Sequence, residues 1–339
     1  MLKKLISIIF IVFLLASQVF AGGDRRKGTS GAHELRIPIG SRGTSLGGSI
    51  VADVQGLESI YWNPAGASSI RGAEAMFSYL DYIADMSLSF AAVGANVPGI
   101  GTISVSARIL SIGDIIVTTE EAPMGTGEIM NPNFVTLGIT YSRQMTDRVF
   151  FGTSLNLINE QISQVRTRGL CMDFGFQYIP GLIRGLKLGV VVKNIGPNLQ
   201  FDGENLNHTA PVVGSIPGAE RKQLRTQLED FELPSYFQIG ISLNPVENET
   251  SRLTVLTSFR NNNFIEDEYN AGVEYAYKDM LFIRGGYTGS KQQEYLYGAN
   301  FGVGFKLKFG YNTFYFDYSW AQTSRYFNSN QWFTLKVAF

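Results

Sequence analysis

The stretch Tyr295-Leu-Tyr-Gly-Ala-Asn-Phe-Gly-Val-Gly-Phe-Lys-Leu-Lys-Phe309 decides how this chain is read. Its odd positions carry Tyr295, Tyr297, Ala299, Phe301, Val303, Phe305, Leu307 and Phe309. Its even positions carry Leu296, Gly298, Asn300, Gly302, Gly304, Lys306 and Lys308. One face is apolar or aromatic and the other is small or charged, which is the period of a β-strand. A helix would set Lys306 and Phe309 on one face, so the pattern rejects it. The same alternation runs through 103–109, 170–178, 269–277, 314–320 and 333–339.

Alternation alone suits a soluble sandwich with its apolar face inward. It suits equally a membrane barrel with that face toward lipid. Three features favour the barrel. The periodic segments mostly run ten residues or more, roughly twice the usual globular strand. Aromatic residues stand near strand ends, as interfacial girdles require; Tyr141, Tyr178, Tyr236, Tyr287, Tyr295 and Trp320 are examples. The last periodic segment ends on Phe339, and Phe333, Leu335, Val337 and Phe339 have the form of an outer-membrane assembly signal. The expected partners are then outer-membrane lipid and the barrel assembly machinery.

Composition agrees with a wall one strand thick. Of 339 residues only 17% are charged, against roughly 25% in an ordinary soluble domain, while Gly reaches 37 residues and aromatics 13%. The net charge of -1 gives no basis for nucleic-acid binding. One Cys excludes a disulfide framework or a Cys-ligated zinc site.

Residues 1–21 read as a secretory signal peptide, with Lys3 and Lys4 before an apolar run and small residues at Val19 and Ala21. No later stretch approaches the ~18 apolar residues of a membrane helix. A spanning structure must then be a closed β-barrel, because only helices and closed barrels satisfy every backbone group in lipid. The location expected is the bacterial outer membrane.

Fourteen periodic segments fall between 73 and 339, an even number, as single-chain bacterial barrels have. The fold class expected is all-β: a 14-stranded antiparallel transmembrane β-barrel. Alternate connections are short, whereas 113–132, 196–233 and 322–330 are long. Short turns at one end and long loops at the other fit an outer-membrane barrel. Within the longest loop, 219–231 has the spacing of a short amphipathic helix.

Residues 22–72 precede the barrel at 73–339. They contain Ile39-Gly-Ser-Arg-Gly-Thr-Ser-Leu-Gly-Gly-Ser-Ile-Val-Ala-Asp53, then Tyr61-Trp-Asn-Pro-Ala-Gly66. Glycines at 40, 43, 47 and 48 permit tight bends, and Asn63-Pro64 breaks regular structure. Ile50, Val51, Ile60, Tyr61 and Trp62 are too apolar for a solvated linker. A plug packed in the lumen is the expectation, carried by Gly40, Arg42, Gly47, Gly48, Asp53, Tyr61, Trp62, Asn63, Pro64 and Gly66.

This motif resembles the N-terminal signature of the PorV/PorQ family, outer-membrane barrels similar to the FadL long-chain fatty acid channel. The resemblance implies one of two roles. One is an interaction component of protein export or surface attachment, like type IX secretion, whose partners would be secretion-system components or cargo C-terminal domains. The other is uptake of hydrophobic small molecules past an N-terminal hatch, with a hydrophobic ligand in the lumen.

Catalytic chemistry is scarce. His33 and His208 lie far apart, neither in a nucleophile-elbow nor in a metal-ligand spacing. No enzyme, metal or cofactor is expected. The lumen face does carry charge: Arg108, Lys187, Lys193, Arg260, Arg284, Lys306, Lys308 and Lys336 against Glu160, Asp173, Glu274 and Asp317. These are expected to pair with each other or with Asp53 and Glu58 of the plug. An anion-preferring path is the sharper alternative.

Overall fold

The computed structural model describes residues 26–181, 183–210, 222–291, 298–323 and 327–339. The expected signal peptide and Tyr295 lie outside them. Fourteen long strands form the wall. They are β1 (Ala73–Asp81), β2 (Ser87–Val97), β3 (Gly101–Ser111), β4 (Asn133–Gln144), β5 (Val149–Ile162), β6 (Val165–Tyr178) and β7 (Lys187–Ile195). They continue with β8 (Tyr236–Glu247), β9 (Ser251–Asn262), β10 (Glu268–Tyr277), β11 (Leu281–Ser290), β12 (Ala299–Phe309), β13 (Asn312–Ala321) and β14 (Asn330–Ala338). Each pairs antiparallel with its sequence neighbour, and β1 pairs β14 from Glu74↔Ala338 to Asp81↔Gln331, which closes the barrel. No helix among the described residues is long and apolar enough to cross a membrane.

Burial settles the two-way reading of the alternation. In β10, Glu268, Asn270, Gly272, Glu274 and Ala276 are buried, while Tyr269, Val273, Tyr275 and Tyr277 are exposed. In β12, Phe301 and Phe305 stand outside at 57% and 48% exposure, with Gly302 and Gly304 inside. Polar inside and apolar outside is the inverse of a soluble core. It is the pattern of a transmembrane barrel.

Three expectations need correction. Tyr236 faces the lumen, 3% exposed, with the Arg260 guanidinium 4.7 Å from its ring centroid. It shares parity with Gln238 and so cannot join the outer girdle, which Tyr141, Tyr178, Tyr287 and Trp320 do face. Lys308 is exposed and lies one pair from the β12–β13 turn, so it lines no lumen. Within 219–231, Lys222–Arg225 is a strand paired with Asn207–Ala210 rather than helix. All four of its residues are exposed, so an apolar helical stripe would have had nothing to bury against.

The wall is irregular between β6 and β7, and the β8–β9 ladder also shifts register between Leu243 and Val246. β7 ends at Ile195, while β6 begins further out at Val165; their ladder covers only Met172 to Tyr178. The register shifts at Asp173, whose Oδ1 accepts the Asn194 N–H at 2.8 Å. Asn194 has φ 58°, a left-handed conformation that Asn tolerates better than most residues.

Residues 32–70 fill the lumen as short turns. Ile39, Leu46, Ile50, Leu57, Tyr61 and Trp62 form one apolar core with inward residues of the wall, among them Met76, Leu88, Phe90, Leu256 and Trp332. Lumen-face glycines let the backbone come this close. A Cβ on Gly286 would lie 2.3 Å from the Leu46 carbonyl carbon, and one on Gly152 would lie 2.3 Å from that of Pro64.

Candidate functional site

The N-terminal motif works as a set of clasps. Asn63, fully buried, donates from Nδ2 to the carbonyls of Val51 at 2.9 Å and of Phe176, on β6, at 3.1 Å. Its Oδ1 accepts the Ala65 N–H, so the Asn-Pro step turns the chain and ties it to the wall. Trp62 donates to the Ile39 carbonyl at 2.8 Å and lies over Gly43, where a Cβ would meet its indole. Tyr61 donates to the Arg36 carbonyl, and the Lys193 ammonium sits 4.5 Å from its ring centroid. Gly47 and Gly48 have φ of 62° and 74°, and their carbonyls accept from Thr288 and Gln238. Gly40 bends at φ 85° against Glu58; Gly66 abuts the Val54 carbonyl; Pro64 packs over Gly175.

Charged residues join the segment to the wall in a connected network. Arg42 bonds Asp53 at 2.6 Å and Glu274 at 2.9 Å. Glu274 also holds Arg284, which reaches Asp317 at 2.5 Å. Lys187 bonds Asp53 at 2.5 Å. Burial alone would raise the Asp53 carboxyl, but Lys187 and Arg42 hold it below the usual carboxylate range. Lys193 pairs with Asp173 at 3.3 Å, and Arg260 with Glu268 at 2.9 Å. Arg108 donates to the Glu34 carbonyl at 3.0 Å.

Sequence reasoning missed Glu34, Arg36 and Glu268. Glu268 had a signal: it shares parity with Asn270 and Glu274 on β10. Glu34 had none, because its turn carries no period. It is 3% exposed, and its carboxyl lies beside that of Glu160 of β5, also 3% exposed. Part of the cation excess read from the strands is paired off by Asp53 of the segment, which holds Lys187, and by Glu268 of β10, which holds Arg260.

The two ends of the lumen differ. At the short-turn end a vestibule of about 410 Å³ lies between the segment and β7–β14. Arg42, Asp53, Glu58, Lys306 and Lys336 are among its lining residues. At the long-loop end, Ala32, Leu35, Ile158, Cys171, Leu199 and Leu233 form a separate apolar cluster, with Phe231 against it. This cluster seals the place where β7 stops short of β6. A Cβ on Gly169 would lie 2.0 Å from the Leu199 side chain. No group of His, Cys, Asp and Glu suited to a metal ion occurs among the described residues.

No protein-family model and no curated protein sequence matches this chain. Its fold is similar to solved structures. The CymD monoaromatic hydrocarbon channel aligns at 12% identity over 89% of this chain and 98% of that one, with a TM-score of 0.55. The Pseudomonas putida toluene transporter TodX aligns at 13% identity over 87% and 96%, with a TM-score of 0.54. A Pseudomonas aeruginosa FadL homologue aligns at 10% identity over 89% and 98%, with a TM-score of 0.50. At these identities the likeness is one of architecture: this chain is a closed fourteen-stranded antiparallel barrel of FadL-like form.

Proposed function

We propose that this protein carries hydrophobic small molecules across the outer membrane of a Gram-negative bacterium, with residues 22–72 as a lumen hatch. The carrying observation is the apolar seam of Leu199, Leu233, Phe231 and Cys171 where β7 ends early. Elsewhere in the wall neighbouring strands pair over most of their length, β8 and β9 with one register shift. Here residues 167–171 of β6 pair with β5 on one side, and on the other have no barrel strand beside them. An apolar gap closed by side chains is a low-energy route between lipid and lumen for a solute without charge. The likeness to channels described for toluene and monoaromatic hydrocarbons supports the same reading.

The test is uptake of toluene and of oleate into proteoliposomes containing the full barrel. Faster uptake than in protein-free vesicles, reduced by Leu233→Arg, is expected. Uptake equal to protein-free vesicles sinks the proposal.

A second reading is an interaction component of export or surface attachment, of PorV/PorQ type. It rests on the motif over 40–66 and on one outer hairpin, Ile115–Ile116 paired with Ile129–Met130, whose Ile116 and Ile129 are 61% and 56% exposed. Pull-down from outer membranes with a secretion channel or a cargo C-terminal domain would favour it. Outer-membrane lipid and the assembly machinery, read through Phe333, Leu335, Val337 and Phe339, are partners common to both readings.

A further inference from the structure

Among the charged side chains that line the vestibule, two stand outside every ion pair made among the described residues: Glu58 and Lys336. Arg42, Asp53, Lys187, Glu274, Arg284 and Asp317 belong to the network described above. At the mouth, Arg252 and Lys306 share Asp279, and Glu247 meets Arg184 at 3.9 Å.

Glu58 is 8% exposed. Its Oε1 accepts the Gly43 N–H at 2.8 Å, and no cation lies within 4 Å among the described residues. The Lys336 ammonium sits 4.2 Å from the Tyr315 ring centroid. Glu74 faces it across Gly56, beyond ion-pair distance, and spends one oxygen on the Leu57 N–H. Burying a carboxylate without a cation in contact is costly. Burial raises the Glu58 carboxyl above its ordinary range, although the charges of Arg42 and Lys336, beyond ion-pair distance, pull it down. A cation seated on it would restore the carboxylate. A simple cation would serve Glu58 and leave Lys336. A simple anion would do the reverse.

We propose that the vestibule binds a small zwitterion, its ammonium on Glu58 and its carboxylate on Lys336. The volume is within the usual range for small-molecule sites. The pair has a mechanical consequence, since Glu58 belongs to the lumen segment and Lys336 to β14. A ligand that bridges them clips the segment to the wall from the short-turn side. This site is separate from the apolar seam and takes a different class of molecule.

Calorimetric titration of the full barrel in detergent tests it, with β-alanine, γ-aminobutyrate and ε-aminocaproate as probes. Saturable binding of at least one zwitterion is expected. Acetate and methylammonium should each bind about tenfold more weakly, as should the zwitterion to Glu58→Gln or Lys336→Met. Lys308→Met, on the exposed end of β12, should leave the affinity unchanged. Both site variants keep their backbone pairing, and heat-resistant migration of the barrel confirms their folding. No saturable zwitterion binding overturns the proposal. So does binding that survives both substitutions, or acetate or methylammonium binding as tightly as the zwitterion.

Discussion

Arg42 of the lumen segment grips Glu274 of β10 through two hydrogen bonds, Nε to Oε2 at 2.9 Å and Nη2 to Oε1 at 3.0 Å. The same guanidinium holds Asp53, so one side chain joins two parts of the segment to the wall. Arg42→Met removes a cation shared by two buried carboxylates. Arg284 and Lys187 remain beside them, so the loss should fall at the low end for a broken buried pair, roughly 3 kcal/mol. Denaturant unfolding in detergent measures it. An unchanged midpoint would show that the clasp contributes nothing.

Two adjacent glycines on β11 give an internal control for the filled lumen. Gly286 faces in, and its Cβ would strike the Leu46 carbonyl carbon at 2.3 Å. Gly285 faces out, where a Cβ meets nothing nearer than Phe301 at 3.9 Å. Valine is a good strand residue at either position. Gly286→Val should displace the segment and raise planar-bilayer conductance, whereas Gly285→Val should not. Equal conductance in the two variants would mean that the segment does not limit the pore.

The contact between Glu34 and Glu160 makes docking of the outer turn depend on pH. Two carboxyls can hydrogen-bond only with a proton between them. Burial holds the Glu34 carboxyl above its ordinary range, although the bond to Glu160 and the charge of Arg108 pull it down. A carboxyl raised in the folded state stabilises fully below its unfolded value, and that contribution is lost as pH rises through the folded value. Protection of the Leu35 and Ile37 amides, bonded to Ala32 and Glu34 carbonyls, should therefore fall as pH increases beyond intrinsic exchange effects. Glu34→Gln keeps a donor and cannot titrate, so it should flatten that dependence. A dependence unchanged in the variant would assign it elsewhere.

Much of this fold was legible because a barrel strand obeys a period of two. The β4 segment, 133–144, reads directly from Val135, Leu137, Ile139 and Tyr141 against Thr136, Gly138, Thr140 and Ser142. Only the sign of the face needed the structure, since alternation is the same whether the apolar side meets lipid or a core. The ends were less legible: Tyr236 is aromatic and terminal like the girdle residues, yet its parity turns it inward. The lumen segment has no period, and its partners are separated by up to 294 residues in sequence, as Pro38 and Trp332 are. Asn63, Arg42 and Asp53 stood out by motif, but Glu58 and Lys336 become a pair only when ion-pair partners are assigned around the cavity. The strand 222–225 reads poorly because its pairing with 207–210 is made across the longest loop.

Cys171 offers a reporter on the proposed route, because it is the chain's single cysteine and is fully buried in the apolar seam. Its neighbours there are Leu35, Ile158, Leu199 and Leu233. A maleimide probe added to the intact barrel should label it far more slowly than a free thiol. Leu199→Ala opens space beside Gly169 at a cost of about 2–5 kcal/mol to local packing, which lowers the energy needed to part the seam. Labelling should then accelerate, and toluene should accelerate it in the unsubstituted chain if solute passes this way. Substitution at Leu256, buried elsewhere in the lumen core, destabilises without touching the seam and should leave labelling slow. Fast labelling of the unsubstituted barrel would mean that the seam is already open. If Leu199→Ala and Leu256→Ala speed labelling equally, general loosening and not a local gate exposes the thiol, and the route must be sought at another part of the wall.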